Sequence, residues 1–210
     1  MGKNLYSTFP HIVTDGIILR KIVSEDVDAL FEIYSNPNLF VLSPNMLKKN
    51  KATVENMIGH FERDFNKGKE VFLGICESGS PDCVVGVAEI FDYNREVNMV
   101  TIGYRLNEKF WGKGIAIKAV QALIEYLFTE IGINRIQAFV MPQNEKSLNV
   151  LRRSGFAKEG AIRQGYVWKG MGTVDLTLFS MLKADYDSKD KSVFAVCVEA
   201  TDLRLADAGY

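Results

Sequence analysis

Apolar residues recur along this chain at two spacings. At Val54, Met57, Ile58, Phe61 and Phe65 they fall three and four apart, the period of a helix with one buried face, which predicts a helix over 53–66 that stops at Lys67 and Gly68. The longer series Ala116, Ala119, Val120, Leu123, Leu127 and Ile131 predicts a helix over 115–131, closed by Gly132. Val100, Ile102, Tyr104 and Leu106 alternate instead, so 99–106 reads as a strand with these side chains on one face. Shorter apolar runs predict strands over 16–22, 71–77, 83–91, 135–141, 156–168 and 173–182. Segments 24–34 and 144–153 read as helices, the first capped by Ser24 and ended by Asn36 and Pro37, the second ended by Gly155. Turn-rich SGSPD and DYNRE segments join three of the strands into an antiparallel meander. Strands that are grouped first and then alternate with helices predict an α+β architecture, a mixed sheet with helices packed on it, rather than a doubly wound one.

Composition narrows the function. Twenty-five basic residues against 26 acidic ones give a net charge of -1, which argues against a dedicated nucleic-acid binder, and 47% apolar residues argue against a disordered chain. No apolar run is long enough for a membrane span and residues 1–10 lack the blocks of a signal peptide, so a soluble, cytoplasmic protein is expected. The charge is unevenly spread. Six acidic residues (Asp185, Asp187, Asp190, Glu199, Asp202, Asp207) and three basic ones fall after residue 183, which divides the chain into a domain over 1–185 and an acidic extension over 186–210. Within that extension 193–198 has the pattern of a short strand. Cys76, Cys83 and Cys197 show no CxxC spacing, and His11 and His60 have no ligand-spaced partner, so neither a metal site nor a histidine-centred mechanism is expected.

The segment Trp111-Gly112-Lys113-Gly114-Ile115-Ala116 lies between a strand and the strongest helix. Glycines there admit an anion close to the backbone, and a helix N-terminus adds about half a positive charge; a small-residue helix start for tight packing is the alternative. A P-loop would need GxxxxGK and then Ser or Thr, and the GxGxxG fingerprint needs glycine where Ile117 stands. Nucleotide hydrolysis and nicotinamide binding are therefore not indicated.

This turn resembles the acyl-CoA-binding turn of the GNAT superfamily of N-acetyltransferases, with Gly114 and Ala116 matching. Trp111 at the preceding Gln/Arg position is similar to the branch of ribosomal-protein N-terminal acetyltransferases of the RimJ/RimL type. Asn144 to Ser147, Leu151 to Phe156 and the upstream Gly103-Tyr104-Arg105-Leu106 resemble further parts of that pattern, over about residues 15–185. The resemblance implies the GNAT fold, with a splayed central sheet, and acetyl-CoA as the acyl donor without a metal. It implies that the backbone at Leu106 pairs with the pantetheine arm and that the pyrophosphate lies on the turn formed by Trp111, Gly112, Lys113, Gly114, Ile115 and Ala116. Lys113 would add a charge-assisted contact or remain solvated.

Asn144 and Ser147 would contact the pantetheine and the cofactor sulfur, or serve as the cap and first turn of a helix. The family's proton-donating tyrosine, four residues before Gly155, is Leu151 here, which leaves Ser147 as the implied donor to the CoA thiolate. Glu89 is the candidate base, directly or through water, on a strand face shared with Val85, Val87 and Phe91; its alternative is an ion pair with a basic neighbour. Tyr104 and Tyr166 stand as acceptor-binding candidates or core residues, and the ribosomal branch has a glutamate near the position of Tyr166. The implied reaction transfers an acetyl group to a primary amine, either a protein N-terminus or a small molecule, in a ternary complex. A homodimer is compatible with that fold. A non-catalytic acyl-CoA-binding module and an interaction protein are the competing classes.

Overall fold

A computed structural model describes residues 3–42, 47–168 and 172–188. Eight strands form one sheet in the order β1-β2-β3-β4-β5-β6-β8-β7: β1 (Ile12–Thr14), β2 (Ile17–Lys21), β3 (Val71–Glu77), β4 (Ser80–Asn94), β5 (Met99–Leu106), β6 (Arg135–Val140), β7 (Ala157–Trp168) and β8 (Gly172–Leu182). Neighbours are antiparallel except β5 and β6, which run parallel. The expected mixed α+β sheet is therefore observed.

Each face of the sheet carries its own core. On one, α1 (Val27–Ser35) and α3 (Lys51–Asn66) bury Leu30, Ile33, Val54 and Phe61 against Val84, Val87 and Cys76. On the other, α4 (Ile115–Glu125) buries Ile115, Ala119, Val120 and Leu123 against β2 to β6. Apolar helix stripes and alternating strands meet only where both are sealed from water, which is the main favourable term in holding the two layers on the sheet.

Several local expectations change in three dimensions. Ser24 does not cap α1. Residues 24–26 form a 3₁₀ turn, and the Asp26 carboxylate instead accepts from the Val23 amide at 2.9 Å and from both terminal nitrogens of Arg20 at 2.8 Å. Asn36 ends α1 as expected and also starts α2 (Pro37–Phe40), its side chain accepting from the Asn38 amide. The predicted helix over 115–131 is regular only to Glu125, and residues 126–131 widen into a π-helical turn before Gly132. The wider turn rotates the chain enough to bury both Leu127 and Phe128, where uninterrupted helical spacing assigned Leu127 alone.

Phe128 packs on Tyr186 of α6 (Lys183–Ser188), so the packed part of the chain runs past the expected boundary at residue 185. The strand expected over 193–198 lies outside the described residues. No described helix is long and apolar enough to cross a membrane.

Candidate active site

The site begins where two strands part. β5 pairs with β6 only at Met99↔Arg135, Val100↔Ile136 and Thr101↔Gln137, yet β5 stays on β4 as far as Leu106 and β6 stays on β8 as far as Val140. The gap widens into a cleft of about 990 Å³ lined by β5, the turn before α4, α2 and α5 (Glu145–Arg153). At its edge the Asn107 amide donates to the Val85 carbonyl at 2.8 Å, on the β4 side. Backbone groups alternate in direction along a strand, so the amide and carbonyl of Leu106 face the cleft. Trp111 Nε1 donates to that carbonyl at 3.0 Å, which pins the indole, and leaves the amide as a donor at an open strand edge.

The glycine turn completes one wall. Gly112 and Gly114 adopt φ of 76° and 80°, left-handed values that favour glycine, and a Cβ on either would meet nothing within 4 Å. Conformation, not crowding, requires glycine at both positions, so the packing alternative for this turn is not what the geometry holds. The amides of residues 112–117 donate to no described group, and the first to bond back is that of Lys118, to the Gly114 carbonyl at 3.1 Å. Ile115 anchors the turn with a buried side chain, while Ala116 is half-buried beside the cleft. A row of unpaired amides at a helix N-terminus is an anion cradle. Lys113 lies with its ammonium 4.7 Å from the Phe110 ring and is not part of the cleft wall.

On the opposite wall Asn144 caps α5, its Oδ1 accepting from the Ser147 amide at 3.2 Å. The structural reading of this pair holds, and both residues also line the cleft. Lys146 stands 4.0 Å over the Trp111 ring, tying α5 to the glycine turn. Leu151 is buried, so α5 presents no phenol to the cleft.

Tyr104 lines the cleft from β5, and its hydroxyl is buried with no hydrogen-bond partner. Burial pushes its pKa up to about 12, and the nearby Ser147 hydroxyl opposes that shift without reaching hydrogen-bond geometry. An orphaned buried hydroxyl costs about 1–3 kcal/mol, unless a ligand supplies the partner.

Arg105, next along β5, faces the other way. Its Nη2 meets Glu89 Oε1 at 2.6 Å and its Nη1 donates to the Tyr34 hydroxyl at 2.6 Å, both ends of the ion pair being 14% exposed. Burial opposes the guanidinium charge, but Glu89 and Tyr34 outweigh it and leave the Arg105 pKa raised. The Glu89 carboxylate is engaged in this ion pair, lies over Gly103 and is not among the residues that line the cleft. Val85 does not share its face, because a β-bulge between Val84 and Gly86 turns Val85 to the opposite core. Tyr166 is 44% exposed on the β7–β8 hairpin and is not brought to the cleft.

Sequence reasoning missed Lys146 and Arg153, which line the cleft. With Asn149 and Val150 they follow the three-and-four spacing of one helix face, a signal present in the sequence. It also missed Glu108, whose carboxylate accepts from Asn36 and Asn38 and so ties α2 to the turn; these bonds hold its pKa down. Among the described residues no group of three or more His, Cys, Asp or Glu could hold a metal ion.

A sheet splayed beside an unpaired strand edge and a left-handed glycine turn is the frame of an acyl-CoA N-acyltransferase. The acetyltransferase (GNAT) domain family matches residues 17–157, and the chain belongs to that family. It is similar to p20 of Bacillus licheniformis, described as an uncharacterized N-acetyltransferase, with 33% identity over 83% of this chain and 97% of p20. The ribosomal protein uS5-alanine N-acetyltransferase of Escherichia coli is 25% identical over 71% of this chain and 79% of that protein. Mycobacterium smegmatis RimJ, solved in complex with CoA-disulfide, shares the fold with a TM-score of 0.77 at 21% identity, over 92% of this chain and 95% of RimJ. The chain is thus an enzyme of the N-acetyltransferase class.

Proposed function

We propose that this enzyme takes an acetyl group from acetyl-CoA and passes it directly to a primary amine held in the same cleft. The observation that carries the reading is the row of unpaired amides over 112–117, opening beside the free edge of β5. Such a cradle suits a pyrophosphate, the Leu106 amide suits a pantetheine carbonyl, and Lys146 and Arg153 add positive charge from the facing wall. Asn144 Nδ2, unused by the cap, is a second donor for the pantetheine arm. The donor supplies a thioester whose carbonyl carbon the amine attacks.

The chain's own part is positioning. Trp111, Gly112, Gly114 and Asn144 fix the donor's length along the cleft, and the acceptor enters past Asn38, Leu39 and Leu42. Lys113 stays outside this set, stacked on Phe110. Glu89 enters the proposal as the partner that neutralises Arg105 on the face of β5 turned towards α1, with solvent taking up the ammonium proton of the acceptor. The uS5-alanine enzyme among the relatives acts on a protein, which makes a protein N-terminus the first acceptor class to test and small-molecule amines the second. We assign this activity to the domain over 1–185, onto which Tyr186 also packs, and give the acidic extension over 186–210 no part in it.

Calorimetry with acetyl-CoA, followed by thiol release on a panel of peptides with free N-termini and of polyamines, tests the reading. Saturable acetyl-CoA binding and turnover with a panel member are expected. Absence of acetyl-CoA binding overturns it.

A further inference from the structure

Resting on that reading, we infer that Tyr104 is a catalytic residue whose hydroxyl donates a hydrogen bond to the sulfur as it leaves, in concert with Ser147. Three observations converge. The Tyr104 hydroxyl is sealed from solvent and has no hydrogen-bond partner, whereas the neighbouring Arg105 is held by Glu89 and Tyr34 and Glu108 by Asn36 and Asn38. Tyr104 forms part of the cleft wall, and Ser147, whose hydroxyl lies near enough to act on the phenol, belongs to the opposite wall. The two hydroxyls therefore face each other across the space where β5 and α5 approach, while α5 itself offers Leu151 and no phenol.

Burial keeps the phenol neutral over the whole working range of pH, so it remains a donor and does not become a base. In the transfer the nitrogen lone pair forms the C–N bond, the C–S bond breaks with its electron pair going to sulfur, and the proton lost by nitrogen ends on sulfur. Negative charge is greatest on sulfur between the last two events. A fixed O–H aimed there from a site without competing water stabilises that charge more than it stabilises the neutral thioester, which is the condition for raising kcat. Both hydroxyls acting on one sulfur also explains why neither bonds the other.

Tyr104→Phe keeps the ring and removes the donor. The full-length chain and this variant are to be compared by calorimetry with acetyl-CoA, by thiol release with an amine that the parent acetylates, and by titrating the ultraviolet thiolate absorbance of bound CoA. The last readout needs no acceptor. We expect acetyl-CoA affinity within about twofold of the parent and a fall in kcat of about 100-fold. We also expect the bound thiol to titrate at least about one pH unit higher in the variant, because a donor to the thiolate lowers its pKa. Ser147→Ala should move the same two quantities in the same direction, and the double variant should lose less than the product of the two single losses.

A Tyr104→Phe enzyme with the parent's kcat and the parent's thiol titration overturns the inference while leaving the proposed activity standing. Loss of acetyl-CoA binding equal to the loss of rate also overturns it, since that is the mark of packing. Failure of the parent to bind acetyl-CoA strikes the proposed function instead.

Discussion

Tyr104 and Arg105 are consecutive on β5 and point to opposite faces of the sheet, and their surroundings differ in kind. Around Arg105 partners are already in place: Glu89 at 2.6 Å, the Tyr34 hydroxyl at 2.6 Å, and the Tyr34 ring 5.0 Å away. Around Tyr104, the Leu106 amide edge and the glycine turn, donors stand without partners. The saturated side holds the sheet to α1. The unsaturated side is prepared for a molecule rich in carbonyl and phosphate oxygens, because unpaired amides are tolerated beside a solvent-filled cleft and gain partners when such a molecule enters.

The largest effect should come from breaking the saturated side. Glu89→Leu leaves the Arg105 charge buried without its anion, and urea denaturation should show a loss of about 3–5 kcal/mol. Combining it with Arg105→Met should return most of that loss, an outcome that separates an ion pair from a catalytic base. On the unsaturated side, Gly114→Glu forces a left-handed φ of 80° on a residue with a Cβ and aims a carboxylate at the cradle. Calorimetry should show acetyl-CoA affinity reduced about 100-fold, equivalent to about 2.7 kcal/mol.

Trp111→Phe removes the donor to the Leu106 carbonyl, worth about 1 kcal/mol, and should weaken acetyl-CoA binding about fivefold by loosening the strand edge.

The smallest effect lies away from the cleft, at Glu125. One of its carboxylate oxygens is buried without a partner, and burial pushes its pKa up to about 6 from an ordinary 4.5. The folded chain thus holds this proton more tightly than the unfolded chain does. Below pH 4.5 the group is protonated in both states and costs nothing; as the pH rises through about 6 the folded state must carry the buried charge, and stability is lost. Glu125→Gln should raise stability on the order of 1 kcal/mol above pH 7, after allowance for solvent screening, and make no difference below pH 4.5. Thermal unfolding across that range measures both limbs.

Much of the fold is legible in local pattern. The series from Val54 to Phe65 and from Ala116 to Leu123 specify their helices because burial of one face follows a period that the sequence displays directly. The glycine turn is legible for a similar reason, since left-handed φ at residues 112 and 114 is a property of glycine itself. Ser24 misled because a cap is decided by competition. The Ser24 hydroxyl donates to Glu25 instead, and Asp26 reaches back to the Val23 amide and is held there by Arg20 from β2, a contact no local pattern reveals. The π-turn at 126–131 was illegible for a related reason: it pairs Phe128 with Tyr186, 58 positions away along the chain.

The sequence by itself determined which segments bury a face, where the chain turns, and that an anion cradle of backbone amides opens α4, because each follows from residues within a few positions of one another. Tertiary structure alone decided what the side chains of β4 and β5 do. The register that sets Glu89 opposite Gly103 leaves room for a carboxylate where another residue would place a Cβ, and so delivers Glu89 to Arg105. The splay after Thr101 then leaves Tyr104 facing Ser147 across a gap. Register and splay are properties of several strands packed together, and a side chain acquires or loses its partner only when those strands meet.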